Sequence, residues 1–391
     1  MRVVIAPDSF KGSLSAVEVA EALARGVRRA WPAAQVELLP VADGGEGWVE
    51  TLVRATGGRL VTRQVTGPLG EPVEAQYGLF QQDGEEVAVI EMAAASGLTL
   101  VPPDRRDPRV TTTRGTGELI RDALDQGARR LLVGIGGSAT NDGGAGMAQA
   151  LGVRFLDEAG AELPPGGAAL ARLARVDLSG LDPRLAQTEV VVACDVDNPL
   201  TGERGAAAVY GPQKGATPEM VQELDAALAH FADVVEGVIG RSFRELPGAG
   251  AAGGLGFGLM AFAGARLQRG IELALETLQA DRHFAWASLV ITGEGRIDRQ
   301  TLHGKVPFGV ARRAAAFGVP VVAVAGCVGS LTPEELDALR AAGLAAIIPV
   351  VESPCTLDEA MNPDETRKRL ERTGERLARL VGIGLALKAQ G

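Results

Sequence analysis

Arg2-Val3-Val4-Ile5-Ala6-Pro7-Asp8-Ser9-Phe10-Lys11-Gly12-Ser13-Leu14-Ser15-Ala16-Val17-Glu18 sets the pattern for the rest of the chain. The β-branched run at its start predicts a buried strand, and Pro7 to Gly12 predict a loop rich in polar groups. Ser15 with Glu18 three residues on predicts a capping box, in which each side chain satisfies an amide that a helix start leaves open. The helix is predicted to run to about Ala30. Strand, polar loop and capped helix make half of a βα unit, and a chain built of such halves folds as an α/β protein with parallel strands.

The same punctuation recurs further along. Residues 36–41 read as a strand running into Asp43-Gly44-Gly45-Glu46-Gly47 and a helix, and 288–292 as one running into Gly293-Glu294-Gly295-Arg296-Ile297-Asp298. Residues 319–325 are apolar throughout, Thr332-Pro333-Glu334-Glu335 is a second capping box, 345–351 are a further strand, and Asn362-Pro363-Asp364-Glu365 opens the last helix. Between Pro68 and Ala287 the turns are richer in glycine, and 73–80 and 86–91 read as antiparallel partners. The expected organisation is a parallel α/β domain made of both chain ends, 1–67 with 288–391, and a mixed α/β domain, 68–287, inserted between them.

Composition narrows the function. The 391 residues are 46% hydrophobic, enough for two cores, and 39 Lys and Arg against 49 Asp and Glu give a net charge of -10 with no basic patch. Nucleic acid is therefore not an expected partner. Cys194, Cys327 and Cys355 are far apart and form no CxxC pair, which fits a reducing, cytoplasmic setting. The uncharged stretch 246–265 has the length of a membrane span, but its seven glycines speak for close backbone approach, so no membrane association is expected.

In an open parallel sheet ligands bind beyond the carboxyl ends of the strands. Asp8, Ser9 and Lys11 follow the first strand, Asp43 and Glu46 the second, and Glu294, Arg296 and Asp298 the strand at 288–292. Each alone is most simply a cap or a turn. Three strand ends that all carry carboxylates beside glycine, two of them with Lys or Arg, suit phosphoryl transfer, in which a protein holds Mg²⁺, neutralises phosphates and aligns a hydroxyl. In the inserted region Thr111-Thr112-Thr113-Arg114-Gly115-Thr116-Gly117 opens a helix and reads as an anion site. Cys194-Asp195-Val196-Asp197-Asn198 follows another strand, and Gln213-Lys214-Gly215 adds a cation. Cys194 reads as a small buried residue, and His230, His283 and His303 show no metal-ligand spacing.

A competing motif lies at Leu131-Leu132-Val133-Gly134-Ile135-Gly136-Gly137-Ser138-Ala139, a strand entering GxGxxA, with Asp157 roughly twenty residues on as in a dinucleotide site. Against it, Thr140-Asn141-Asp142-Gly143-Gly144 puts an acidic side chain where a pyrophosphate needs amide donors. The rival functions are thus an NAD(P)-dependent oxidoreductase using the Gly134–Ala139 loop, and a non-catalytic ligand-binding protein.

Taken in order, 6–13, 42–47, 136–144, 193–200 (Ala193-Cys194-Asp195-Val196-Asp197-Asn198-Pro199-Leu200) and 293–298 resemble the bacterial glycerate kinase family, of the glycerate 2-kinase type, and the likeness covers nearly the whole chain. The resemblance implies a flavodoxin-like domain from both ends and an inserted restriction-enzyme-like domain. It implies ATP and Mg²⁺, with (R)-glycerate as acceptor and 2-phosphoglycerate as product, 3-phosphoglycerate and a homodimer staying open. On chemical grounds Lys11, Asp195, Arg296 and Asp298 are then the candidates for catalysis, with Asp195 or Asp298 as base. Asp8, Ser9, Ser138, Asn141, Asn198, Lys214 and Glu294 are candidates for binding substrate or nucleotide, and Asp43 and Glu46 for holding the metal.

Overall fold

The computed structural model describes residues 1–45 and 47–388, without the side chains of His303 and Lys388. Its strands are β1 (Arg2–Pro7), β2 (Gln35–Leu38), β3 (Arg59–Thr66), β4 (Pro72–Gln82), β5 (Glu85–Glu91), β6 (Arg130–Gly134), β7 (Arg154–Leu156), β8 (Arg175–Asp177), β9 (Glu189–Ala193), β10 (Arg266–Gln268), β11 (Leu289–Ile297), β12 (Val321–Val328) and β13 (Leu344–Pro349). The chain is an α/β protein of two compact units, Met1–Asp43 with the chain from Ile271 onward, and Gly44–Gly270.

The first unit is built on a parallel sheet in the order β2-β1-β11-β12-β13. Counted within the unit this is 2-1-3-4-5, a doubly wound order whose switch point lies between β1 and its neighbour β11. The expected Ser15–Glu18 box caps the Ala16–Ala30 helix, with the Ser15 hydroxyl accepting from the Glu18 amide. That helix and the terminal Pro363–Lys388 helix bury Leu23, Val27, Leu370 and Leu377 over Val3, Ile5 and Ile291. Glycine sets how closely they cross: a Cβ on Gly26 would lie 2.0 Å from the Glu371 carbonyl oxygen, and one on Gly374 2.5 Å from that of Leu23.

The second unit has a mixed sheet, β10-β9-β6-β5-β4-β3, antiparallel from β3 to β5 and parallel from β5 to β10, with β7 and β8 forming a separate hairpin. Asp83 (φ 53) and Gly84 (φ 86) make the two-residue turn from β4 to β5, the left-handed pair that matches strand twist. The glycine-rich stretch forms the helical segment Ala251–Ala263, broken near its start by a kink where Ala252, Gly253 and Gly254 are left-handed. Its glycines seat it on the loop after β6: a Cβ on Gly253 would lie 1.9 Å from the Thr140 carbonyl oxygen, and one on Gly258 2.7 Å from that of Gly143. Among the described residues no helix is long and apolar enough to cross a membrane.

The joints differ from those expected at 67/68 and 287/288. Residues 44–67 go with the second unit because the Trp48–Thr56 helix sets Val49 and Val53 against Gly78 of β4, and β3 pairs with β4 from Arg59↔Leu79 to Thr66↔Pro72. Residues 271–287 go with the first, since Ile271 packs on Gly309 and Arg313 pairs with Asp281. Neither joint carries a Pro/Ser linker to mark it in sequence.

Candidate active site

In the first unit the chain leaves β1 with its pairing intact: the Asp8 amide donates to the Gly293 carbonyl at 2.8 Å. It then folds back at once. Phe10 and Leu14 exchange backbone hydrogen bonds of 2.8 and 3.0 Å around a turn made by Gly12 at φ +76°, which lifts Lys11 into solvent. Beyond β2 the amides of Leu39 and Val41 still donate to Ile5 and Pro7, so residues leading to Asp43 run beside β1. On the other flank β11 does not stop near Thr292 as expected. It continues through Gly293 and Gly295, paired with β12 as far as Ile297↔Val328, and carries Glu294 within the strand. Glycine allows that extension, because a Cβ on Gly326 would lie 2.5 Å from the Gly295 carbonyl oxygen.

These strand ends surround a pocket of ≈ 380 Å³ lined by Asp8, Ser9, Lys11, Asp43, Glu294 and Arg296, together with Phe10, Lys305, Cys327 and Met361. Asp8 is 7% exposed, and its carboxyl is pushed up to about 7, by burial first and then by the charges of Asp43 and Glu294. The Ser9 amide, 2.6 Å from Asp8 Oδ1, and the Lys11 ammonium pull the other way without prevailing. Burial also raises Glu294, whose Oε1 accepts from the Thr301 hydroxyl at 2.6 Å and whose Oε2 accepts from Lys305 Nζ at 3.3 Å. A buried carboxylate of raised pKa beside cations, at a switch point, is the setting in which proton transfer is tuned to neutral pH.

Arg296 remains 65% exposed at its side chain, tethered by Nε to Asp298 Oδ2 at 3.1 Å. Asp298 itself is a cap: its Oδ1 accepts from the Gln300 amide at 2.9 Å and its amide donates to the Thr301 hydroxyl. One oxygen is held by the Gln300 amide and the other by Arg296, and Asp298 is not among the residues that line the pocket. Glu46 lies outside the described residues. Lys305 was missed by sequence reasoning, yet it stands at the N-cap of the Val306–Ala315 helix, where a cation opposes the helix dipole and so flags another duty.

The second unit brings Lys214 back onto the Ser138–Asn141 stretch, more than seventy residues earlier in the sequence. Lys214 is 1% exposed and donates from Nζ to Ser138 Oγ and to the Thr140 carbonyl oxygen, each at 2.7 Å. It is no solubilising surface lysine: burial pulls its ammonium down to about 7. Asn141 is fully buried, and neither its Oδ1 nor its Nδ2 has a hydrogen-bond partner among the described residues. After β9, Asp195 is exposed and accepts from the Gly270 amide at 3.1 Å. Asn198 is spent on its own loop, donating to the Arg204 carbonyl and accepting from the Tyr210 hydroxyl. Cys194 is half-buried, and burial pushes its thiol up to about 11, away from nucleophilic character.

One sequence expectation and the rival dinucleotide reading fail here for the same reason. The helix start at Thr113 is not an open anion site, because Asp142 Oδ2 already accepts from the Thr113 amide (2.8 Å) and hydroxyl (2.9 Å). The same carboxylate takes the Gly144 and Gly146 amides, each at 3.2 Å, so a negative side chain already occupies the helix start after β6 where a pyrophosphate would need open amides. Asp157 sits in a tight turn directly after β7, accepting from the Ala161 amide, and β7 pairs with β8 and not with β6. The dinucleotide reading falls with these contacts.

Residues 3–382 match a family model described as the glycerate kinase family. The chain is 54% identical over 383 residues to a glycerate kinase of Bacillus subtilis (strain 168), covering 98% of each. It is 51% identical over 385 residues to a glycerate 2-kinase of Escherichia coli (strain K12), covering 98% of this chain and 99% of the relative. A crystal structure assigned to glycerate kinase 2 from Salmonella typhimurium LT2 matches with a TM-score of 0.90 at 51% identity, over 99% of both chains.

Proposed function

This chain belongs to the glycerate kinase family, and we propose that it transfers the γ-phosphoryl group of ATP, with Mg²⁺, to (R)-glycerate, giving 2-phosphoglycerate. The observation that carries the reading is the convergence of Lys11, Asp43 and Glu294, with Asp8, on one pocket at the switch point of a parallel sheet. A hydrolytic triad or a nicotinamide site would need other residues there.

The donor set fits a divalent cation. Asp43 and Glu294 contribute to raising Asp8, and a cation would relieve that repulsion. Among the described residues no group of three or more His, Cys, Asp or Glu forms a ready metal cage, so the fit rests on Asp8, Asp43 and Glu294 lining one pocket. Asp43 would hold it, with Glu46 assigned to the same ion on its chemistry alone. When bound there, Mg²⁺ would supply neutralisation of phosphate charge.

The chain's own groups do the rest. Lys11, at the tip of its tight turn, and Lys305, held by Glu294, donate to phosphate oxygens, and Arg296 answers the charge that develops on the transferring group. Asp8 replaces Asp195 and Asp298 as the proposed base, because it is buried, raised to about 7 and not used as a cap. As the glycerate oxygen bonds to the γ-phosphorus, the bond from that phosphorus to the bridging oxygen breaks, ADP leaves with the electron pair, and the hydroxyl proton passes to Asp8. Within the second unit, taken by itself, Ser138, Asn141 and Lys214 remain proposed binding residues, because an amide with both ends unbonded beside a buried amine leaves hydrogen-bonding capacity for a small polar ligand.

The test is ADP formation by the purified protein with product passed directly to enolase. ADP release that needs both glycerate and Mg²⁺, with signal from enolase in the absence of a mutase, supports the reading. ATP consumption indifferent to glycerate would overturn the activity, and signal only with a mutase would move the product to 3-phosphoglycerate.

A further inference from the structure

The pocket of the first unit is lined by two kinds of side chain. Asp8, Asp43, Lys11, Glu294 and Lys305 are charged, while Phe10, Val351, Leu357, Ala360 and Met361 supply an apolar lining. A volume of ≈ 380 Å³ falls in the range of pockets that take drug-sized ligands and far exceeds what a three-carbon acid fills. Nor does glycerate, with a polar group on every carbon, have any part to lay against aliphatic side chains.

Resting on the kinase reading above, we propose that this apolar lining seats the base of the nucleotide, and that the phosphate tail runs from it to the charged side chains. Leu357 is 75% exposed and Met361 36%, both on the short Leu357–Met361 helix at the pocket's edge. Large apolar side chains left uncovered beside a cavity find their partner in a flat apolar ligand. Met361 is held in place from below: a Cβ on Gly12 would lie 2.6 Å from Met361 Cε, so the turn that presents Lys11 also supports this lining. The helix is independently fixed by a capping box between Thr356 and Glu359. Leu357, Ala360, Met361, Val351 and Phe10 bring no side-chain donor or acceptor to read the base edge. Recognition is therefore by apolar contact, and the site discriminates weakly among purines.

Calorimetric titration of wild type and Leu357→Asp with Mg-ADP and, separately, with Mg-pyrophosphate tests this. ADP carries both ends of the ligand and pyrophosphate only the charged one. The expected result is an ADP affinity at least about tenfold weaker in the variant, the loss of one well-packed leucine, with pyrophosphate affinity within twofold. Met361→Ser serves as a second variant, and Leu380→Asp, exposed on the terminal helix, as the control that changes neither. Unaltered ADP affinity in both pocket variants, or equal losses for ADP and pyrophosphate, would overturn the assignment. Because the readout is binding, it stands whether or not the enolase assay finds glycerate turned over, and failure there with a positive result here would sink only the acceptor.

Discussion

Asp8 and Lys214 carry opposite pKa displacements for the same reason, burial of an ionisable group, and they lead to different measurements. For Asp8→Asn, kcat should fall by about 10²–10⁴-fold, the usual worth of a positioned base, and the variant should be no less stable than wild type at pH 8. The sign follows from the raised carboxyl: the folded chain holds this proton up to about 7 while the unfolded chain releases it near 3.8, so ionisation costs stability as pH rises through that window. Near-normal turnover would remove Asp8 from the chemistry. Lys214 runs the other way, since the unfolded chain holds its proton to 10.5 and the folded chain only to about 7. Between those values wild type should gain on Lys214→Met by up to about 1.4 kcal/mol per pH unit in urea unfolding, and parallel profiles would refute the buried-ammonium account. The sequence showed Asp8 as a polar residue after a strand. It could not show Lys214 as buried, because a lysine between Gln213 and Gly215 looks like any loop cation until Ser138 and Thr140 close over it.

Glycine decides how the elements approach. Gly26 lies in a helix interior, where replacing glycine with alanine ordinarily helps by about 0.5–1 kcal/mol. Here the new Cβ would meet a backbone oxygen at 2.0 Å, so Gly26→Ala should instead cost about 1–3 kcal/mol by urea unfolding. Gly237, also helical but with nothing within 4 Å of its Cβ position, is the contrast, and Gly237→Ala should follow the ordinary rule. The capping boxes at Ser15 and Thr332 were legible because the signal is contained within four residues. The length of β11 was not: Gly293 and Gly295 read as loop residues, and only their fit against β12 turns them into strand.

At the scale of the whole molecule, three apolar clusters each stay within one unit. The apolar cluster of Val3, Leu23, Ile291 and Leu377 uses only the first unit, and the clusters around Tyr77, Leu131 and Leu255 and around Phe155, Phe231 and Phe257 use only the second. Residues 44–270 expressed alone should therefore unfold in a cooperative transition seen alike by circular dichroism and tryptophan fluorescence of Trp48. Non-coincident transitions would mean that the second unit borrows stability. The alternating βα texture revealed the class of fold, but the joints at 43/44 and 270/271 stayed hidden because they depend on which sheet a helix covers.

Strand β1 lies between β2 and β11, and its partner on one side reaches it only after the entire second unit has been made. At about 5–20 residues per second, synthesis of that intervening stretch takes on the order of ten to forty seconds. Through that interval a newborn strand of Val3, Val4 and Ile5 leaves the ribosome with one edge bare. Expression yield should accordingly depend on holdase chaperones more steeply than the stability of the finished protein would suggest.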